Sequence, residues 1–316
     1  MYHMNKENIL LQHTYLGSIY SFWATKLVAQ HHEKLNPLKS ILFFLFLSIP
    51  CFSAHTQSTC MSFNIRFDNP DDGINSWDKR KEAVVKFLNY YNPNILGIQE
   101  GLSHQVQYLD EKLKDYNYVG VGRDDGKQKG EYSAIFFDTS CIQLINTKTY
   151  WLSPTPDTVS VGWDASMERI ITYANFLDKR HMDTFYVFNT HFDNIGKQAR
   201  KNSADLIIAL IKTKELLDKK VIVMGDLNCL PSSDPLKILK SYFYDPWNEQ
   251  NTFQSYGPSG TFNHFDPACV ADKRIDYILT HHYIVSHYRH IDDRKSNGLW
   301  MSDHLPVWIA IKRSRS

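Results

Sequence analysis

Short apolar runs recur along the chain, and polar residues with useful chemistry sit where those runs stop. Residues 59–66 (TCMSFNIR) predict a first strand with Asn64 near its end, followed by a turn-rich loop over 67–76. A helix is expected from about Asp78. Val84, Leu88 and Tyr91 mark its apolar face at i, i+4 and i+7, and Asn92-Pro93-Asn94 stops it. Residues 95–98 (ILGI) form the next predicted strand and run straight into Gln99-Glu100. Ser103 is placed to cap a second helix carrying Val106, Leu109 and Leu113. Further strands are predicted over 116–121, 132–137, 141–152, 169–174 and 185–188, the last leading into Asn189-Thr190-His191. The longest helix, about 195–218, carries Ala199, Ser203, Leu206, Leu210 and Leu217 roughly along one stripe. It returns the chain to Val221-Ile222-Val223-Met224, which reads as a strand buried on both faces. Strands over 274–279 and 307–311 complete the set.

Strands outnumber helices, and several neighbouring strands have no helix between them. That order suits an α/β fold of mixed sheets with helices outside better than a doubly wound parallel sheet. No internal repeat, low-complexity segment or long linker interrupts residues 55–316, which are taken as one domain. Residues 1–54 are taken separately, as an N-terminal extension and signal peptide. Lys39, the apolar run 41–50 (ILFFLFLSIP) and the small residues Ser53 and Ala54 supply a basic flank, a hydrophobic segment and a cleavage region. The run is too short for a comfortable membrane span, so the expected mature chain has none and is periplasmic or secreted. An uncleaved anchor is the alternative.

Charge narrows the choice of partner. The chain has 35 Lys+Arg against 34 Asp+Glu; setting aside residues 1–54 removes four of the former and two of the latter, and the net charge moves from +1 to −1. Such a surface lacks the cations that sequence-independent binding to duplex nucleic acid requires. Cys60, Cys141, Cys229 and Cys269 remain, an even number that permits disulfides, but their spacing specifies no pair and no CxxC metal pattern occurs.

The strand ends carry the candidate chemistry. Gly225 breaks the Val221 run, and Asp226 and Asn228 follow one residue apart, a spacing that on an extended backbone points both side chains the same way. Glu100 ends another buried run. A charged carboxylate in such a place is costly unless a cation or a donor meets it. Plainer roles exist for several of these residues. Asn64 could cap a strand, His191 could be a hydrogen-bonded structural histidine, Asp276 could pair with Arg274, and Arg169 could pair with Glu168 at the surface. Trp163, Trp300 and Phe262-Asn263-His264-Phe265 flank these ends in loops, where they either anchor the loops or stack on a base, a sugar or lipid.

Taken in order, Asn64, Gln99-Glu100, Asn189-Thr190-His191, Gly225-Asp226-Leu227-Asn228, Arg274-Ile275-Asp276-Tyr277-Ile278 and Ser302-Asp303-His304 resemble the motifs of the endonuclease/exonuclease/phosphatase superfamily, over roughly residues 59–312. The resemblance implies a DNase I-like four-layer sandwich, two mixed β-sheets flanked by helices, with a Mg2+ (or Mn2+) site at one end. It implies Glu100 as the direct metal ligand, with Asn64 and Asp303 completing or supporting the site. Asp226 would orient or deprotonate the attacking water, and Asn228 would hold a non-bridging oxygen. Protonated His304 would donate to the phosphate while Asp276 fixes its tautomer, and His191 and Arg169 would add positive donors. Two features depart from the commoner pattern. Leu227 stands where Phe is usual, and Arg169 stands near the place where abasic-site endonucleases have Tyr, with no basic DNA-clamping loop beside it. The expectation is a monomeric, metal-dependent phosphoric ester hydrolase acting on a small or exposed phosphodiester or phosphomonoester. A secreted nuclease acting on DNA or RNA, and a non-catalytic binding module keeping the fold, are the competing readings.

Overall fold

The computed structural model describes residues 57–247 and 255–312; the extension and signal peptide expected over residues 1–54 lie outside them. Strand β1 is Ser58–Asn64, followed by a 3-10 turn at Pro70–Asn75 and helix α1, Trp77–Tyr91. Next come β2 (Ile95–Gln99), α2 (Ser103–Lys112), β3 (Tyr116–Val119), β4 (Ile135–Asp138) and β5 (Ile142–Trp151). The middle of the chain supplies β6 (Ile170–Asp178), β7 (Asp183–His191), α3 (Lys197–Thr213), β8 (Val221–Asp226) and α4 (Asp234–Lys240). The last strands are β9 (Ser255–Tyr256), β10 (Asp276–His281), β11 (Ile284–His290) and β12 (Val307–Lys312). One sheet is ordered β3-β4-β2-β1-β12-β11-β9 and the other β10-β8-β7-β6-β5. Both are mixed, with parallel pairing of β1 to β2, β9 to β11 and β7 to β8.

Because strand side chains alternate between faces, each central strand feeds two cores. Cys60 of β1 joins Val187 of β7, Ile222 and Met224 of β8, Ile278 of β10 and Ile309 of β12 in the core between the sheets. Met61 and Phe63 face the other way and pack with Val84 and Leu88 of α1 and Val106 of α2. On the far side, Val221 and Val223 of β8 pack with Ile207, Ile208 and Ile211 of α3. The result is helix, sheet, sheet, helix: the four layers expected. Counting by twos from the inter-sheet residues reaches Asn64 on β1, His191 on β7, Asp226 on β8 and Asp276 on β10. The alternation that builds the central core therefore also aims these polar side chains at its end.

Several elements differ in detail from the sequence expectation. Helix α1 stops as expected, where Asn92 turns left-handed (φ 42°) and returns its N–H to Leu88 O. Ser103 is not the cap of α2 but its first helical residue. The Leu102 N–H is met instead by the side chain of buried Gln105, which also accepts from Asp68 N and donates to Arg66 O. Helix α3 is shorter than 195–218; it buries Ala199 and Ser203 of the expected stripe but continues through Ala204, Ile207, Ile208 and Ile211 instead of Leu206 and Leu210, leaving Leu217 exposed beyond its end. Within Leu206-Ile207-Ile208-Ala209-Leu210 two faces are almost equally apolar, and the isoleucine face is the one that continues to Ile211. Strand β11 escapes the pattern because Ser286, His287, Arg289 and His290 dilute it and a bulge between Val285 and His287 breaks the alternation. The four cysteines are free. Among the described residues no helix is long and apolar enough to cross a membrane.

Candidate active site

Strand pairing sets the site. Parallel pairing of β7 and β8 puts His191 opposite Asp226, and antiparallel pairing of β10 and β8 puts Asp276 opposite the same residue. Asp226 Oδ2 then lies 3.1 Å from Asn64 Nδ2, 3.5 Å from His191 Nε2 and 3.7 Å from His304 Nε2. Asn64 Nδ2 also donates to Glu100 Oε1 at 2.9 Å, so one amide bridges carboxylates from the two sheets. Glu100 departs from the parity of β2. Its left-handed backbone (φ 62°) turns the carboxylate into the site, where Phe67 N–H meets Oε2 at 3.1 Å.

The Asp226–Asn228 spacing works differently from the extended geometry it predicts. Asn228 is left-handed (φ 47°) and its N–H returns to Asp226 Oδ1 at 2.9 Å, so the chain turns immediately after the carboxylate. Asn228 Nδ2 lies 3.0 Å from Phe192 O and 3.1 Å from His191 Nε2, so this amide secures the histidine as well as facing the site. Gly225 permits the approach: a Cβ there would sit 1.9 Å from Thr190 O.

His304 Nδ1 lies 2.8 Å from Asp276 Oδ2, and Thr261 Oγ1 donates to the same oxygen at 2.6 Å. Asp276 is not the partner of Arg274, whose guanidinium instead grips buried Asp245 through two bonds of 2.9 and 2.6 Å. Burial by itself would lower the His304 pKa, but the charges of Asp276 and then Asp226 outweigh it and hold the imidazole well above its ordinary value. Asp226 is pushed up to about 7, first by burial and then by the charge of Asp276. His191 is held well below its ordinary value by burial, with Arg169 adding to the effect. It is a neutral imidazole rather than the positive donor that the motif implies. Its Nε2 lies 3.1 Å from Asn228 Nδ2 and its Nδ1 lies 3.6 Å from Glu131 Oε2.

Arg169 is buried and does not pair with Glu168. Its Nε reaches Asp193 Oδ2 at 3.3 Å and its Nη2 reaches Asn194 Oδ1 at 3.0 Å, which places its charge behind His191. Asp303 sits 3.7 Å from Arg66 Nη1 through Oδ2, and burial raises its pKa. Two groups bring ligand atoms within 4.8 Å of one another: Glu100, His191 and Asp226, and Asp226, Asp276 and His304. Asp303 is in neither. The donors suit a hard cation, because carboxylate oxygens dominate the two groups.

Four supporting side chains were not apparent in the sequence. Thr261 orients Asp276, and Glu131, gripped by Arg123 at 2.7 and 2.9 Å, faces His191. Arg66 faces Asp303. Fully buried Arg80 donates to Ile65 O and Met301 O, both at 2.8 Å, and so joins the turn after Asn64 to the segment before Asp303. Arg80 had a signal, since it lies four residues before Val84 on the apolar face of α1. Thr261 and Glu131 lie in loops to which no apolar run points. Of the flanking aromatics, Trp300 is a loop anchor, buried with its Nε1 donating to Asp266 O at 2.8 Å and Arg294 stacked 3.7 Å above it. Phe262 packs 4.9 Å from the His304 ring.

Residues 61–304 match the profile of the Endonuclease/Exonuclease/phosphatase family. A mannosyl-6-phosphatase of Bacteroides thetaiotaomicron is 34% identical, with a TM-score of 0.76 over 81% of this chain and 100% of its own. An endonuclease/exonuclease/phosphatase from Bacteroides vulgatus is 35% identical, with a TM-score of 0.75 over 82% of this chain and 100% of its own. The uncharacterised protein L388 of Acanthamoeba polyphaga mimivirus is 30% identical over 162 residues, which are 49% of this chain and 60% of that protein. The chain thus spans about 60% of the length of that relative.

Proposed function

This chain belongs to the endonuclease/exonuclease/phosphatase family of phosphoester hydrolases, and we propose that it is a Mg2+- or Mn2+-dependent phosphoesterase working outside the cytoplasm. The observation that carries the reading is the convergence on Asp226 Oδ2 of the Asn64 amide and the imidazoles of His191 and His304. A carboxyl with a pKa near 7 is matched to taking a proton from the attacking water at neutral pH. Asn64 fixes that carboxylate and Glu100 together. His304, kept protonated by Asp276, offers Nε2–H to the charge that develops on the phosphoryl oxygens. Thr261 holds Asp276 so that the proton on Nδ1 stays in place. Arg169 contributes positive charge behind neutral His191, and Asn228 keeps that ring from turning. Glu100, with Asn64 and Asp303 in support, would hold a divalent cation, whose chemistry would be Lewis-acid polarisation of a phosphoryl oxygen.

The favoured substrate is a small phosphomonoester carried on a sugar. The 34% identical mannosyl-6-phosphatase supports this choice, and so does the net charge of −1 outside residues 1–54, which suits a small substrate better than a nucleic acid. The signal-like segment at 41–54 supports a periplasmic or secreted location. The reading is tested with a panel of sugar phosphomonoesters, phosphodiesters, nucleic acids and phospholipids in the presence of Mg2+. The highest kcat/KM is expected on a sugar phosphomonoester, with loss in EDTA. Turnover confined to nucleic acid and falling steeply with salt would replace this reading with a nuclease.

A further inference from the structure

We propose that Trp163 is a stacking platform for the sugar ring of the substrate, which makes the 153–168 loop a specificity-determining rim of the active site. The proposal rests on the phosphoesterase reading and adds the kind of group that the site accepts on the ester oxygen.

Among the described tryptophans Trp77 is 2% exposed, Trp151 6% and Trp300 5%, and Trp247 and Trp308 are half-buried. Trp163 is 38% exposed, and among the described residues no ring, cation or hydrogen-bond partner covers its indole. The exposure does not come from a loose loop. On one side, Gly162 lies so close to the preceding segment that a Cβ would sit 2.1 Å from Leu152 O. On the other, Asp164 receives Ala199 N at 2.6 Å and Gln198 N at 3.2 Å, capping the start of α3 from outside the helix. Between these two fixed points Trp163 adopts a left-handed backbone (φ 53°), a strained state for a bulky side chain. Strain of this kind persists only where the surroundings enforce it, and it concentrates at ligand-binding positions.

The loop also lies beside the reaction centre. Ser166 Oγ donates to Asp193 Oδ2 at 2.8 Å, and Asp193 follows His191 by two residues. Met167 Sδ accepts from Arg123 at 3.0 Å, and the same guanidinium grips Glu131, which faces His191. The loop that carries Trp163 is therefore tied to the site on its His191 side.

Its chemistry selects the occupant. Residues 153–168 contain Asp157, Asp164 and Glu168 and no Lys or Arg; Lys148 pairs with Asp157 at 2.6 Å and Asp164 accepts from the start of α3, so the loop itself offers no cation to a polyanion such as a nucleic-acid strand. Val159 and Val161 are exposed beside it in the sequence and add apolar surface. A neutral pyranose fits these constraints, since its C–H face lies against indole while its hydroxyls meet acceptors. A nucleobase could also stack, but it would bring its phosphodiester chain to a loop that has no Lys or Arg of its own.

The test compares methyl α-mannoside 6-phosphate with glycerol 3-phosphate, which has no ring, using the Mg2+-loaded protein and its Trp163→Ala and Trp163→Phe variants. We expect Trp163→Ala to lower kcat/KM for the mannoside roughly tenfold more than for glycerol 3-phosphate, through KM, and Trp163→Phe to restore most of the difference. Equal losses on the two substrates, or none, overturn the platform while leaving the phosphoesterase reading intact. A loss seen only with nucleotide or phospholipid substrates overturns the pyranose as occupant. Wild-type protein that hydrolyses neither phosphomonoester overturns the reading beneath the proposal, and the proposal with it.

Discussion

His191 and His304 meet the same carboxylate oxygen and are held in opposite charge states, and the residues beside them explain why. Both are buried. His304 has Asp276 at 2.8 Å to offset the burial, whereas His191 has Arg169 nearby, which adds to it. The His304 pKa is raised above its unfolded value. The pair therefore contributes stability that is fully present below about pH 6.5 and lost as the pH rises through the folded value. Asp276→Asn removes the largest opposing charge and leaves burial to dominate, so the His304 pKa falls. Turnover should drop roughly 10- to 100-fold, and the alkaline limb of the pH–rate profile should move to lower pH. In a His304→Ala background the same Asp276 change should be nearly silent, because groups that act as a unit are not additive. Losses that multiply would make Asp276 a structural acid. The identity of these residues was legible in the sequence because each stands at the end of an apolar run. The charge of His191 was not, because it depends on burial and on Arg169 and Arg123, which reach it from other segments of the chain.

At the scale of elements, the strand ends do the placing. Asn64, His191, Asp226 and Asp276 fall on the parity of the inter-sheet core, so the apolar alternation that identifies the strands also predicts which way these side chains face. Glu100 and Asn228 break that parity through left-handed backbones, which no periodicity reveals. Gly225 allows β8 to deliver Asp226 beside His191, with φ 141° and Thr190 O occupying the space of a side chain. Gly225→Ala should therefore destabilise the protein by about 3 kcal/mol and abolish activity together with it. Urea denaturation followed by circular dichroism measures the first; an alanine variant as stable as the wild type would mean that the β7–β8 approach is not as tight as described. The helices were less legible than the strands. Helix α3 has two competing apolar faces, and only the sheet chooses between them, while β11 carries too many polar residues to announce itself.

At the scale of the molecule, the site exists only because two sheets pack face to face. β1 and β2 contribute Asn64 and the turn to Glu100 from one sheet; β7, β8 and β10 contribute His191, Asp226 and Asp276 from the other. Six short motifs in register made that architecture readable before any contact was known, whereas the substrate is decided by loops whose sequences carry no such pattern. Location is a separate matter, carried by residues 41–54. N-terminal sequencing of protein from its native cells should find a chain beginning just after Ser53 or Ala54, and a mature cytoplasmic chain retaining Leu42–Leu47 would refute the signal peptide. The central claim is that Glu100 anchors a divalent cation without which the phosphoester is not cleaved. Its most direct test is calorimetric titration of Mn2+ into metal-free wild type and Glu100→Gln, with phosphomonoester turnover measured on the same samples. The expected result is binding weakened at least about tenfold in the variant, and wild-type turnover abolished by EDTA and restored by Mn2+. Equal Mn2+ affinity in the two proteins, or undiminished turnover by Glu100→Gln in excess chelator, would contradict it.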